Sequence, residues 1–317
     1  MLRKSTLFYA LIYTLTCLLN FHSQVPASAL EVGDIVLEVR PVEQELDLEP
    51  GANYSSSVTI KNGGRLPFTV NLSVLPYQAL NENYDPDFST ENSYTNLKNW
   101  ITFPRDSIHL EPGEEVEAEF RISVPKNIPG GGQYAAIIVQ TRDTINEEAT
   151  FRTIGQIASL LYAHVEGEEH IGAVMMGHKL PGFLLSSPFS SSVTVKNDGN
   201  IDFRVSHSLT VYDFFTNKEV FTPEYKDADG KTPGRATPII LPDTTRTNTL
   251  TWEGAPQLGV FRAVQHISFL DQEYTFERLV VVCPIWLALG AAFIVFLIVL
   301  WIVLIIRGRR GRRLQVM

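Results

Sequence analysis

Cysteine is almost missing. The 317-residue chain has two, Cys17 and Cys283, and each sits in one of its two most apolar stretches. The roughly 250 residues between them hold no disulfide framework, although exported eukaryotic domains of that size usually carry one; this favours a bacterial surface protein. Thiolate metal centres are excluded with it. No G-x-S-x-G, phosphate-binding glycine loop or H-E-x-x-H occurs. His164, His170 and His178 flank an acidic turn but lack metal-ligand spacing. Asp227 and Asp229 resemble the start of a calcium loop, yet Lys231, Arg235 and Pro238 stand where the later ligands belong. The expectation is a non-enzymatic chain with no metal and no cofactor. Long amphipathic helices are also lacking. Basic residues are scarce: 26 against 35 acidic. Seven of the basic residues lie in the two terminal segments, which hold no acidic residue, so the middle has 19 against 35, near −16. Such a surface excludes nucleic acid as a partner.

Long apolar runs are present at both ends. From Pro284 to Ile306 no charge interrupts 23 residues, enough to cross about 30 Å of hydrocarbon as a helix. Arg307, Arg309, Arg310, Arg312 and Arg313 follow at once and mark the cytoplasmic side, and Trp286 and Trp301 stand near the two ends of the run as interfacial anchors. The N-terminus begins with a short basic stretch and an apolar run, then Ala27-Ser28-Ala29, a small-x-small cleavage signature at Ala27 and Ala29. A removed signal peptide over 1–29, a transmembrane helix over 283–306 and a basic cytoplasmic tail over 307–317 place the bulk of the chain outside a plasma membrane, in contact with membrane lipid.

Between these segments the pattern is that of strands. Residues 54–74 (YSSSVTIKNGGRLPFTVNLSV) and 189–209 (FSSSVTVKNDGNIDFRVSHSL) align without a gap at an offset of 135, the size of a domain. Val58 and Ile60, then Phe68, Val70 and Leu72, alternate with polar neighbours; Val193, Val195, Phe203 and Val205 repeat this. An Asn-Gly-Gly or Asn-Asp-Gly-Asn turn between the two runs predicts a hairpin-like pair. Further strands are predicted near 35–39, 115–124, 134–141, 204–211, 247–252, 260–269 and 273–279, and at 154–165, where composition alone also permits a helix. Residues 223–242 read as long loops. The predicted fold is all-β: two tandem immunoglobulin-like sandwiches, 30–170 and 171–282, meeting near 167–182, followed by the span.

One stretch breaks the rhythm. Residues 77–99 carry Tyr77, Tyr84 and Tyr94, several asparagines and few aliphatic residues. It is predicted to be a long insertion and the leading recognition loop. Trp100 closes it, as a packing anchor that is also carried as a candidate contact. The glycine-rich turn Gly130-Gly131-Gly132-Gln133 is the second candidate.

The layout resembles the bacterial WxL-interacting proteins. Leu48-Glu49-Pro50-Gly51 with the strand to Lys61-Asn62 resembles that family's opening turn and strand. Leu110-Glu111-Pro112-Gly113 through Val124-Pro125, then Ile128 to Tyr134, resembles its later strand and glycine-rich turn. The resemblance implies peptidoglycan binding by the first domain and other cell-surface proteins as partners of the second. The resulting expectation is a membrane-anchored surface protein holding peptidoglycan or other proteins near the membrane. The alternatives are a structural stalk, a subunit of a surface assembly, or a chaperone-like module that accepts a strand at a sheet edge.

Overall fold

The computed structural model describes residues 35–142, 155–223 and 235–313. The cleavage signature at Ala27 and Ala29 and the Asp227/Asp229 pair lie outside them. The first unit holds β1 (Leu37–Arg40), β2 (Glu43–Leu48), β3 (Asn53–Asn62), β4 (Phe68–Pro76), the short pair β5 (Gln78–Ala79) and β6 (Pro86–Asp87), β7 (Ile101–Thr102), β8 (Ser107–Leu110), β9 (Glu115–Ser123), β10 (Gly131–Thr141) and β11 (Gln156–Val165). One sheet has the order β1-β3-β9-β7 and the other β2-β11-β10-β4-β8. In β9 the glutamates at 115, 117 and 119 face solvent while Ala118, Phe120 and Ile122 face inward, the period of two that a half-buried strand requires. Val58, Ile60, Phe120 and Ile122 from one sheet meet Phe68, Val70, Ile137 and Leu161 from the other, all essentially fully buried. Each such side chain contributes about 1.5–3 kcal/mol by leaving water.

The second unit holds β12 (Ala173–Lys179), β13 (Phe183–Leu184), β14 (Phe189–Asn197), β15 (Phe203–Asp213), β16 (Glu219–Phe221), β17 (Arg235–Ala236), β18 (Ile239–Ile240), β19 (Thr245–Trp252), β20 (Gly259–Phe269) and β21 (Gln272–Val282). It repeats the central strands of the first. The order β12-β14-β19 matches β1-β3-β9, and β13-β21-β20-β15 matches β2-β11-β10-β4, with β2 and β13 each parallel to its neighbour. Its two core clusters also draw on both sheets. The predicted loop region 223–242 contains strands β17 and β18, both pairing with β15, and β12 lies within the predicted domain boundary 167–182.

The predicted hairpin-like pairing is corrected. Strands β3 and β4 belong to different sheets, as do β14 and β15. The turn is an arch between layers, held by a wholly buried asparagine. Asn62 Nδ2 donates to the carbonyls of Leu66 (2.9 Å) and Leu110 (3.2 Å), and its Oδ1 accepts the Gly64 N–H (2.9 Å). Asn197 repeats this with Ile201 (2.8 Å), Ile240 (2.9 Å) and Gly199 (2.9 Å). A buried polar side chain persists where every group is paired, and here it satisfies backbone groups that leave one sheet before joining the other.

After β21 only Cys283 and Pro284 precede α1 (Ile285–Arg313). Its segment Ile285–Ile305 is 21 residues long and apolar enough to cross a membrane. Trp286 and Trp301 are both exposed on it, and the five arginines lie on its last turns.

Candidate functional site

The two sandwiches stack head to tail. The arch of the second, residues 197–203, points into the end of the first where β10 begins. Gly132 N–H donates to Asn200 O (2.8 Å), and Asn200 Nδ2 donates to Glu168 O (2.9 Å) and Gly130 O (3.3 Å). Beside it the Tyr134 hydroxyl donates to Asp202 Oδ1 (2.7 Å), and His164 Nε2 lies 3.0 Å from the same oxygen. Asp47 Oδ1 is 4.0 Å from His164 Nδ1. The hydrogen bond to Asp202 raises the His164 pKa above the usual histidine value, outweighing burial, which opposes it. On the flank, Arg204 reaches Glu45 (2.8 Å) and Glu43 (3.6 Å) across the units.

Strand β10 explains why this junction is apolar as well. Ala135, Ile137 and Val139 face the first core. The alternate residues Tyr134, Ala136 and Ile138 form a second cluster with Tyr77, Tyr162, and Ile239 and Leu241 of the second unit. Tyr162 packs edge-on against both Tyr77 and Tyr134, at 5.9 Å between ring centroids in each case.

The predicted recognition residues gather mostly here. Tyr77 is buried in the cluster, and burial raises its pKa. Tyr84, at a positive φ of 64°, accepts the Leu241 N–H (2.7 Å), hydrogen-bonds the Thr244 hydroxyl and lies under the Arg246 guanidinium at 4.1 Å. Burial pushes its hydroxyl up to about 12. Tyr94 donates to Asp243 Oδ2 (3.0 Å), and its carbonyl accepts Tyr134 N–H (2.7 Å). Glu82 O accepts Thr247 N–H (2.8 Å) from β19. Gly131, at φ +120°, stands where a Cβ would come within 2.6 Å of Asn200 O, and a Cβ on Gly130 would come within 2.5 Å of Gly167 Cα. At Gly132 it would overlap the Tyr134 hydroxyl. Gln133 holds the insertion to β10, accepting Asn96 N–H (3.0 Å) and donating to Ser93 O (2.9 Å). Trp100 is apart from the others, buried in the first core. Asp87 folds its own turn by accepting from Ser89 and Gln78, which holds its carboxyl below the usual range. Asn200 and Asp202, in the turn of the second repeat, and Arg246 also act at the junction, a role not assigned to them from the sequence. Among the described residues no group of three or more His, Cys, Asp or Glu is placed to hold a metal.

A second feature emerges from comparing the halves. In the first unit β2 covers six residues of β11, from Leu160 to Val165. In the second, the equivalent β13 covers only Val281 and Val282 of β21. Val281 N–H points outward to Gly182 O (2.9 Å), so by the period of two the backbone groups of Leu279, Glu277, Thr275 and Glu273 point outward as well. Among the described residues no strand pairs with them. The neighbouring edge of the opposite sheet, β12, exposes Val174 and Met176, and its His178 stacks on Phe276 of β21 at 3.6 Å.

No protein-family model matches the sequence, and no curated protein matches it. Solved structures give loose likenesses. A chain from the chaperone–tip adhesin complex of CFA/I fimbriae biogenesis is 10% identical over 78% of this chain and 100% of its own, with a TM-score of 0.38. A chain from the Salmonella enterica SafA pilin complex with the SafB chaperone is 10% identical over 78% and 98%, also at 0.38. The PapD-like domain of human CEP192 is 16% identical over 42% and 87%, at 0.30. The two-sandwich architecture stands on the strand pairing itself.

Proposed function

We propose that this chain is a non-enzymatic, membrane-anchored arm of a cell-surface assembly, which takes a strand of a partner protein on the open edge of β21. One observation carries the reading. The same edge is closed by six paired residues in the first sandwich and left open over most of β21 in the second, within one chain built twice on one plan. An exposed edge is a liability that folds usually cover or blunt, and added strands bind through main-chain hydrogen bonds, with side-chain pockets setting specificity. Glu273, Glu277 and Arg278 supply charge along it, which disfavours pairing between copies and selects a partner strand of complementary pattern.

The junction supports the arm. Aromatic packing, a shared carboxylate and backbone hydrogen bonds fix one sandwich on the other. Most of the loop residues predicted for recognition are engaged there. Peptidoglycan binding by the first sandwich is an expectation of the sequence resemblance alone.

The test is photocrosslinking in intact cells from positions 273 and 275 of the full chain, with position 71, exposed on β4 and paired on both sides, as the off-edge control. A discrete adduct from the edge positions that Glu277→Pro abolishes is the expected result. Proline there removes an outward N–H and leaves the inward ladder to β20 intact. Equal crosslinking from position 71, or an adduct indifferent to Glu277→Pro, would overturn the strand-accepting role.

A further inference from the structure

The end of the second sandwich that faces α1 is apolar at its tips. The register fixes which loops are there. Val282, three residues before the start of α1, pairs with Gly259 of β20 and with Leu184 of β13, and Asp213 at the end of β15 pairs with Phe261. Three turns therefore surround the start of the helix. They carry Phe183 and Leu185, Phe214 and Phe215, and Leu258, exposed by 57%, 48%, 52%, 80% and 58%.

These side chains are held outward by built turns. The Asp213 carboxylate accepts N–H groups from Thr216 (2.8 Å) and Phe215 (3.1 Å) and the Thr216 hydroxyl (2.8 Å). Asn217, at φ 52°, closes the turn onto Asp213 O (2.9 Å), and Arg262 ties its side chain to β20 (2.9 Å). The two phenylalanines pack edge to face at 5.4 Å, with nothing burying them from outside. Five large apolar side chains on one end of a water-soluble sandwich need an apolar environment.

We propose that these three turns form a collar that dips into the interfacial layer of the same bilayer that α1 crosses, fixing the arm at a set angle to the membrane. The inference rests on reading α1 as a span. The occupant follows from continuity: with only Cys283 and Pro284 between β21 and α1, an inserted helix leaves this end no room to stand clear of the lipid. Amphipathic surfaces of this kind settle about 5–10 Å into the headgroup and acyl boundary. The charged residues in and beside these turns, Asp213, Lys218, Glu219, Glu253 and Arg262, include both signs, so the contact is carried by the apolar side chains and does not require anionic lipid.

The experiment uses the full chain, with Cys17 and Cys283 replaced, reconstituted into neutral phosphatidylcholine vesicles. A single fluorophore is placed through Phe215→Cys, Leu258→Cys, Glu111→Cys or Leu289→Cys. Glu111 lies at the far end of the first sandwich and Leu289 on α1. Lipids with a quencher high on the acyl chain should quench the labels at 215 and 258 several-fold more than the label at 111. Quenching at 215 and 258 no greater than at 111, with 289 strongly quenched, overturns the collar and keeps the span. Loss of quenching at 289 as well overturns both.

Discussion

Asp202 ties Tyr134 and His164 of the first sandwich to the second, and its removal has a calculable effect. In Asp202→Ala the Tyr134 hydroxyl, on a residue only 1% exposed, loses its acceptor. Orphaning a buried hydroxyl costs about 1–3 kcal/mol. The His164 contact adds less than about 1 kcal/mol, because that side chain is nearly one-third exposed and partly screened. The expected total is about 2–3 kcal/mol. Asp202→Asn keeps an oxygen for Tyr134 and loses only the charge, so its cost is about 1 kcal/mol or less, and it depends on pH. Since Asp202 raises the folded-state pKa of His164, that contribution is fully present below the ordinary histidine value of about 6.5 and is lost as pH rises through the raised one.

Denaturant unfolding of the full chain in micelles, at about pH 5 and about pH 9, separates these contributions. Wild type minus Asp202→Asn should be larger in acid. Taking the difference matters, because His207 pulls the other way. It is buried against Asn248 (2.7 Å) and Gln265 (3.0 Å), and burial lowers its pKa, so it weakens both proteins alike as pH falls below about 6.5. Equal costs for the two variants at both pH values would refute the assignment of roles. So would a Tyr134→Phe/Asp202→Ala cycle that shows no coupling.

Asn197→Ala should cost about 2–4 kcal/mol, since it strips partners from two carbonyls and one N–H in the buried arch, and Asn62→Ala should cost the same in the first sandwich. A loss under about 0.5 kcal/mol at either, by the same unfolding assay, would show that water replaces the side chain. Gly131→Ala should loosen the junction by about 2–3 kcal/mol through its positive φ and the approach to Asn200 O. Limited proteolysis across 166–172 should then run faster than in wild type, and an unchanged rate would mean that the sandwiches are not held there.

The strands were legible because a half-buried strand writes its burial in alternation, as at 115–123 and 189–197. The internal repeat was legible for the same reason, and it extends further than the matched letters. Gly132 lies under Tyr134 and Gly259 under Phe261, each aromatic ring folded over a glycine two residues before it. The turn between the repeated strands misled because Asn-Gly marks a reversal without saying whether the chain returns to the same sheet. The deciding fact, a buried asparagine bonded to Leu110 or Ile240, is a long-range contact that local spacing does not encode.

The junction had a signal that alternation arguments pass over. Residues 134–139 (YAAIIV) are apolar without a break, as are 160–163 (LLYA) of the strand paired with them, whereas β9 and β14 alternate. An antiparallel strand with one wet face does not look like that; continuous apolar character means both faces are covered. The first core covers one. Something must cover the other, and the tyrosine-rich insertion has too few aliphatic residues to do so alone. Read together, those two facts point to an aromatic insertion folded onto β10 with a second domain closing over it. The prominence of Tyr77, Tyr84 and Tyr94 in the sequence reflects that closure. A tyrosine carries a large apolar ring and one polar atom, which suits a surface that must be dry in the middle and hydrogen-bonded at its rim, whether the other side belongs to a partner or to the same chain.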